Sequence, residues 1–193
     1  MTKVTKYSSL WESSSYAEVS LDKRPFGLGI KLMAQDVEKS NFVGGCVCGH
    51  VRYSLNRPPI YTHCCHCTDC QQLTGSAFAI NATIEASAIE ITSGIVKPYV
   101  ANIKDGSPHE IYRCEACLSP LWSSYGGRSL RSVRLGSLDQ SEAVKPDAHI
   151  FLRSKLAWVS IPDGAKSFEA FYDIKAEWPQ ESLARLKLAL KDH

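Results

Sequence analysis

The stretch "THCCHCTDC", residues 62–70, holds four of the chain's eight cysteines and two of its six histidines. Thiols and imidazoles this close together can pair as disulfides, close around a structural metal, or hold a metal with one position left free for chemistry. The choice turns on the remaining cysteines, which come as the pairs Cys46 and Cys48 in "CVC" and Cys114 and Cys117 in "CEAC". In extended backbone, residues two apart point the same way, so Cys46 and Cys48 share a face that Val47 opposes. A Cys-x-x-Cys turn also brings its two sulfurs to one side. Joining the two pairs gives four thiolates, enough for a closed tetrahedral zinc site of the structural kind.

The central run is then left to itself. By the same alternation Cys65 and Cys67 face together, and the Cys-x-x-Cys step adds Cys70. Cys64 and His66 point to the other face, Cys64 as a small buried hydrophobe. Three thiolates without an evident fourth ligand describe an open coordination position, the mark of a catalytic metal. The spacing alone leaves two alternatives open. His63 or His66 could complete the set and make it structural, or the cysteines could form a disulfide framework.

These groups need elements to hold them. A chain of 193 residues with 44% hydrophobic and 22% charged residues is long and apolar enough to bury a core. The net charge of +2 argues against a nucleic-acid or membrane-surface binder. In the basic run "RSLRSVR", an extended backbone turns Arg131 away from Arg128 and Arg134, so it reads as a solvated face. The opening "MTKVTKYSSLWESSSYAEVS" has no apolar core, and no stretch has about 18 apolar residues, so neither a secretory signal nor a membrane span is expected. The expected compartment is the cytoplasm, where thiols stay reduced and metal binding outranks disulfides.

Residues 1–40, rich in serine and charge, read as an extension with one short helix near Ile30 to Lys39. From Asn41 onward the segments "HVRYSLN", "AFAINATI", "AIEITSG", "HEIYRC", "PLWSSYG", "SVRLGSL" and "HIFLRS" have strand length and composition. Helical periodicity is missing between them, which disfavours a parallel sheet with crossover helices. "WPQESLARLKLALKDH" reads as a C-terminal amphipathic helix, with Pro179 at its first position and leucines at 183, 186, 188 and 190. The expected organisation is an extension over 1–40, a zinc-binding domain over 41–175 and a helix over 176–193. The expected fold class is mainly β, built of antiparallel sheets.

"GGCVCGHVRY", "CHCTDCQQLTGSAF", "CEACLSPLW", "LGSLD" and "HIFLRSKLAW", in that order from about Val43 to Tyr172, resemble the glutathione-dependent formaldehyde-activating enzyme family, which includes centromere protein V. The resemblance implies coiled antiparallel sheets like those of a small zinc-binding Rab GTPase accessory protein. It also implies two zinc ions per chain. One is structural on Cys46, Cys48, Cys114 and Cys117, and one is catalytic on Cys65, Cys67 and Cys70. The chain departs from the family pattern at Leu118, where glycine usually follows the second Cys-x-x-Cys, and at Ile111 and Arg113, which replace an arginine and an aromatic residue.

The activity the resemblance implies is a carbon–sulfur lyase forming S-(hydroxymethyl)glutathione from formaldehyde and glutathione. A specialised lyase for another electrophilic metabolite, or a non-catalytic zinc-stabilised binding module, are the alternatives. The expected partner is a small molecule, glutathione with an aldehyde, and neither nucleic acid nor membrane. Glutathione's carboxylates call for cations and backbone N–H groups. Arg52, Arg113 and Lys155 are candidates by their place beside the motifs, as are Gly75 and Ser76 for a close backbone approach. His149 is expected to hydrogen-bond in the core.

Overall fold

The computed structural model describes residues 42–102, 108–125 and 129–191. The extension over 1–40 and the helix expected near Ile30 to Lys39 lie outside them.

Alternation of apolar and polar residues builds a small sheet first. Strand β1 (Phe42–Gly45) pairs antiparallel with β2 (Arg52–Leu55), which pairs with β5 (Ile89–Ser93). The two sides approach closely at Gly44, where a Cβ would sit 2.4 Å from the Ser137 carbonyl oxygen.

The larger sheet runs in the order β10, β3, β4, β9, β8, β7, β6. Its members are β3 (Tyr61–Cys65), β4 (Ala79–Glu85), β6 (Val96–Asn102), β7 (Pro108–Cys114), β8 (Pro120–Tyr125), β9 (Leu130–Arg134) and β10 (Ala148–Ile150). Its pairings are antiparallel with one exception: β10 lies parallel to β3, His149 opposite Cys64. Thus the expectation of antiparallel sheets holds for the body and fails at this edge. No crossover helix is required, because the chain returns from β9 through two short 3-10 turns, Leu135–Ser137 and Ser141–Ala143. Asp147 then fixes the register: its backbone N–H donates to the Thr62 carbonyl (2.7 Å) and its carboxylate accepts from the Thr62 N–H (2.8 Å).

Register sorts the large sheet into two faces. Ala82, Ile84 and Val133 turn toward Val51, Tyr53 and Leu55 of the small sheet, with Trp122 edge-on to Tyr53 at 5.3 Å between ring centroids. The opposite face, carrying His63 and Cys65, packs on Tyr172, Trp178 and the C-terminal segment. That segment contains α2 (Ile174–Glu177) and α3 (Gln180–Ala189).

Helix α3 starts one residue after Pro179, which stands just outside it. Leu183 and Leu186 pack on the core, but Leu188 and Leu190 are exposed, and the buried places go to Ser182 and Ala189. The buried stripe therefore follows the positions 182, 186 and 189, where Ser182 Oγ donates to the Ile60 carbonyl at 2.7 Å. A partly buried ion pair ties the same helix to the sheet, Arg185 clamping Glu85 with bonds of 2.9 and 2.6 Å. No helix among the described residues is long and apolar enough to cross a membrane.

Candidate metal centres

Two hairpin-like turns build the first centre. Cys46 leaves β1 into a turn closed by Gly49, whose N–H donates to the Cys46 carbonyl at 3.0 Å and whose φ of +76° suits glycine. Cys114 ends β7, and the following turn carries Cys117 and closes through the Leu118 N–H to the Cys114 carbonyl, 3.0 Å. Leu118 takes φ of 61°, the left-handed conformation that the family's glycine would provide. The leucine keeps the turn's geometry instead of distorting it. The sulfurs of Cys46, Cys48, Cys114 and Cys117 all lie within 4.8 Å of one another. Cys46 to Cys48 is 3.4 Å and Cys48 to Cys114 is 4.0 Å. A tetrahedron with metal–sulfur bonds of about 2.3 Å has edges of about 3.8 Å, so four thiolates here fit a single ion.

The electrostatics of this group are unequal. Burial would raise the Cys46 thiol, but the Val51 N–H, 3.2 Å from its sulfur, leaves it lowered overall. Cys117 is lowered to about 5, first by its hydrogen bond with Ser119. Cys48 is raised to about 12: a backbone bond at His50 lowers it, and the contacts with Cys117 and Cys46 outweigh that. The cluster concentrates negative charge on some sulfurs at the expense of others, the condition that a bound cation relieves.

The second centre forms where β3 runs into α1 (Thr68–Thr74). Cys65 is the last residue of β3, Cys67 is the N-cap of α1, and Cys70 lies in its first turn. The Cys67 sulfur accepts from the Cys70 N–H at 3.4 Å and stands 3.4 Å from the Cys65 sulfur. These three sulfurs lie within 4.8 Å of one another, and no other His, Cys, Asp or Glu among the described residues joins them. Hydrogen bonds from Cys65 and Cys70 hold the Cys67 thiol down at about 2, and the same contact with Cys67 raises Cys65. The group stabilises one thiolate strongly, and a cation is needed for the others to ionise beside it. Soft sulfur donors at this separation suit a zinc-like ion.

Neither histidine completes the set. His63 Nδ1 is 3.2 Å from the Tyr172 hydroxyl, and burial pushes its pKa down to about 4. His66 turns to the other side, its Nε2 3.1 Å from His149 Nδ1. That contact gives His149 the hydrogen-bonding place expected of it. Cys64 is buried, in neither sulfur group. None of the eight cysteines is in a disulfide.

Beside the three-sulfur group opens a cavity of about 560 Å³, a size typical of small-molecule sites. Cys65, Cys67 and Cys70 line it. Its floor is one face of the large sheet: Asn81 and Thr83 from β4, Ser132 from β9, Ser123 and Tyr125 from β8, and His109 from β7. Its walls include Leu73, Ile150, Phe151, Phe171 and Trp178. Phe151 holds a left-handed φ of 58°, strained for an aromatic residue. The pKa of His109 is pushed down, first by burial and then by the charge of Arg134.

The cations read from the sequence lie elsewhere. Arg52 pairs with Asp139, Arg113 donates to the Leu118 carbonyl at 3.0 Å, and Lys155 donates to the Val159 carbonyl at 2.7 Å. None lines the cavity. Gly75 is the left-handed C-cap of α1 with φ of 65°, a helix-ending role, and Ser76 is exposed. Arg134, read as part of a solvated face, is instead buried and bonded to Asn81 Oδ1 at 2.5 Å. The sequence reading missed His109, Ser123 and Asn81. Their signal was alternation across neighbouring strands, which becomes legible only once the strands are paired.

An Emericella nidulans protein provisionally described as a glutathione-dependent formaldehyde-activating enzyme is 30% identical over 84 residues, 41% of this chain and 42% of that relative. The chain thus spans less than half of that relative's length. A crystal structure of a Rhodobacter sphaeroides protein aligns with 65% of this chain and 98% of its own, at 16% identity and a TM-score of 0.39. The sequence profile of the glutathione-dependent formaldehyde-activating enzymes matches residues 41–154, more than half of the chain and the segment that carries both sulfur groups. The chain belongs to the glutathione-dependent formaldehyde-activating enzyme family.

Proposed function

We propose that this protein is a carbon–sulfur lyase that joins a thiol to a small aldehyde, with glutathione and formaldehyde as the reference pair. Cys65, Cys67 and Cys70 hold a catalytic zinc, and Cys46, Cys48, Cys114 and Cys117 hold a structural one. The observation that carries this reading is a group of three sulfurs, with no fourth ligand among the described residues, on the wall of a cavity. Zinc at such a site supplies Lewis acidity and keeps an incoming thiol deprotonated at neutral pH.

The reaction balances without a redox partner. The thiol sulfur forms a bond to the carbonyl carbon, the C=O π pair moves to oxygen, and the thiol's proton ends on that oxygen as a hydroxyl. In reverse the same atoms give lyase activity. The protein's own contribution is placement. The cap of α1 fixes Cys67, the end of β3 fixes Cys65, and the aromatic wall limits water around the reacting carbon. Residues 41–175 form the catalytic unit and 176–193 its cap, in a reducing compartment, taken to be the cytoplasm. Nucleic acid and membrane have no place in this reading.

NMR exchange spectroscopy of formaldehyde with glutathione tests it. The purified protein accelerates exchange between free and adduct forms, and Cys67→Ser does not. Equal acceleration by a folded Cys67→Ser protein overturns the reading.

A second reading is favoured by the walls. Leu73, Ile150, Phe151, Phe171 and Trp178 present apolar surface, and Asp69 is the charged residue in the described lining. Both features suit an electrophile with an apolar body better than a doubly carboxylated tripeptide. A larger gain with an aromatic aldehyde than with formaldehyde would select it.

A further inference from the structure

His109 and Ser123 are a pair of buried polar side chains left without partners among the described residues. His109 is 1% exposed and Ser123 is fully buried. Among the described residues, both ring nitrogens of His109 and the Ser123 hydroxyl have no hydrogen-bond partner. A neutral imidazole offers one donor and one acceptor, and a serine hydroxyl offers both. Leaving such groups unpaired in a protein interior is destabilising, so each calls for an explanation.

Three features place these groups together and at the cavity. Both residues line it, with the three thiols. In the β7–β8 register His109 lies opposite Tyr125, two residues from Ser123, so both side chains rise from one face of adjacent strands. The imidazole is held flat against the Tyr125 ring, 4.2 Å between centroids and 8° between planes. A stacked ring is pre-oriented, and only its edge remains to make hydrogen bonds. Neighbouring polar groups show the contrast: Asn81 already accepts from Arg134, and His63 already faces the Tyr172 hydroxyl.

From this arrangement we infer that His109 and Ser123 are substrate-binding residues, gripping a carbonyl or hydroxyl oxygen of a ligand that occupies the cavity beside Cys65, Cys67 and Cys70. Imidazole and hydroxyl together can donate to such an oxygen and accept from its proton. The class of ligand is one with an oxygen function at this end and an apolar remainder against the walls. The inference rests on the reading of that cavity as the reaction site, and it adds the groups that orient the substrate there.

The test uses the full chain as purified, with nitrogen-15 in its histidine rings. One arm titrates formaldehyde and glutathione together, and a second titrates 2-mercaptoethanol, a neutral thiol bearing a hydroxyl. The expected result is a saturable shift of the His109 ring nitrogens in at least one arm. In that arm His109→Phe weakens binding by about tenfold and Ser123→Ala by about threefold, as lost hydrogen bonds do. His109→Gln recovers part of the loss, and Ser123→Ala keeps the wild-type metal content.

If the first arm shows neither binding nor exchange, the proposed reaction falls, and the second arm still decides the role of His109. His109 resonances that stay unmoved in both arms overturn the inference. So does a folded His109→Phe protein that binds like wild type, or a bound water that stays on both ring nitrogens through saturation.

Discussion

The two sulfur groups differ in how much chain each one closes. Cys48 and Cys114 meet across 66 residues, joining the turn after β1 to the turn after β7. Cys65 and Cys67 are two residues apart, and Cys70 follows within the first turn of α1. Loop-closure entropy depends on that separation, so an ion at the first group restrains the whole fold, whereas an ion at the second restrains one strand–helix junction. Surroundings differ in step. The first group adjoins the core between the sheets, with Cys46 and Cys114 buried and Cys48 exposed. The second group forms part of a cavity wall. Ligand count, reach along the chain and access together separate the two groups in the way their proposed roles, clasp and reaction site, require.

The largest effect should come from breaking the clasp. Cys114→Ser leaves three ligands and an imperfect shell, and structural zinc contributes on the order of 10 kcal/mol to folding. Since domains of this size are stable by about 5–15 kcal/mol, this variant is expected to be largely unfolded at 25 °C. Circular dichroism and metal analysis check this, and a Cys114→Ser protein that melts like wild type breaks the comparison. Cys67→Ser is expected to melt within a few degrees of wild type, to lose the second ion alone, and to slow thiol–aldehyde exchange about a thousandfold, the several kcal/mol a Lewis acid supplies.

How much of this was legible in the sequence follows from which signals are local. The grouping of Cys46 with Cys48, and of Cys65 with Cys67 and Cys70, was read from spacings of a few residues, and the same sulfurs meet, although through a turn after β1 and the cap of α1 and not through the extended alternation expected. Strands β2, β4, β5, β7 and β8 announced themselves by β-branched and aromatic runs. Strand β6 did not, because Pro98 interrupts it; as the edge of the large sheet it has a free side where a missing N–H is tolerated. Strand β3 was hidden by its cysteines, whereas "SVRLGSL" and "HIFLRS" marked β9 and β10 but ran past their ends, where Leu135–Ser137 and Leu152–Ser154 turn as 3-10 helices. The cavity floor was the least legible part. Asn81, Ser123, Ser132 and His109 come from four strands, and only their register puts them on one surface.

The third prediction concerns what ties α3 to the sheet beside that cavity. Glu85 is 8% exposed and is clamped by Arg185 of α3, with Arg57 at 3.4 Å. Burial alone would raise its pKa, but the bonds from Arg185 and the positive charges leave it lowered. A carboxylate lowered in the folded state stabilises the fold above its unfolded value, about 4.3, and that contribution fades as pH falls through the folded value. Glu85→Gln should therefore cost about 1–2 kcal/mol at pH 7, since Arg185 and Arg57 keep access to solvent when their partner loses its charge, and flatten the acid limb of a stability-versus-pH curve. Its sharper use is spatial. Loosening α3 disturbs Trp178, which lines the three-sulfur cavity, while leaving the four-sulfur clasp at full occupancy. Metal loss from the clasp in Glu85→Gln would show that the two regions are coupled.

The smallest effect sits inside the clasp itself. Leu118 adopts a left-handed backbone at φ of 61°, which costs an L-residue about 1–2 kcal/mol that glycine avoids. Glycine also enlarges the freedom of the unfolded chain, which returns about 0.4–1 kcal/mol of that gain. The leucine side chain is 52% exposed, so its removal forfeits little buried surface. Leu118→Gly is thus expected to stabilise the protein by about 0.5 kcal/mol, a rise of about 1–2 °C in Tm. Leu118→Ala keeps the strained backbone and shows no such rise, which separates relief of strain from loss of the side chain. Exchange kinetics at the three-sulfur cavity should be the same in both variants as in wild type, since Cys46 and Cys114 pack in the core on one face of the large sheet and Cys65 and Cys70 in the core on the other, and Leu118 does not line the cavity.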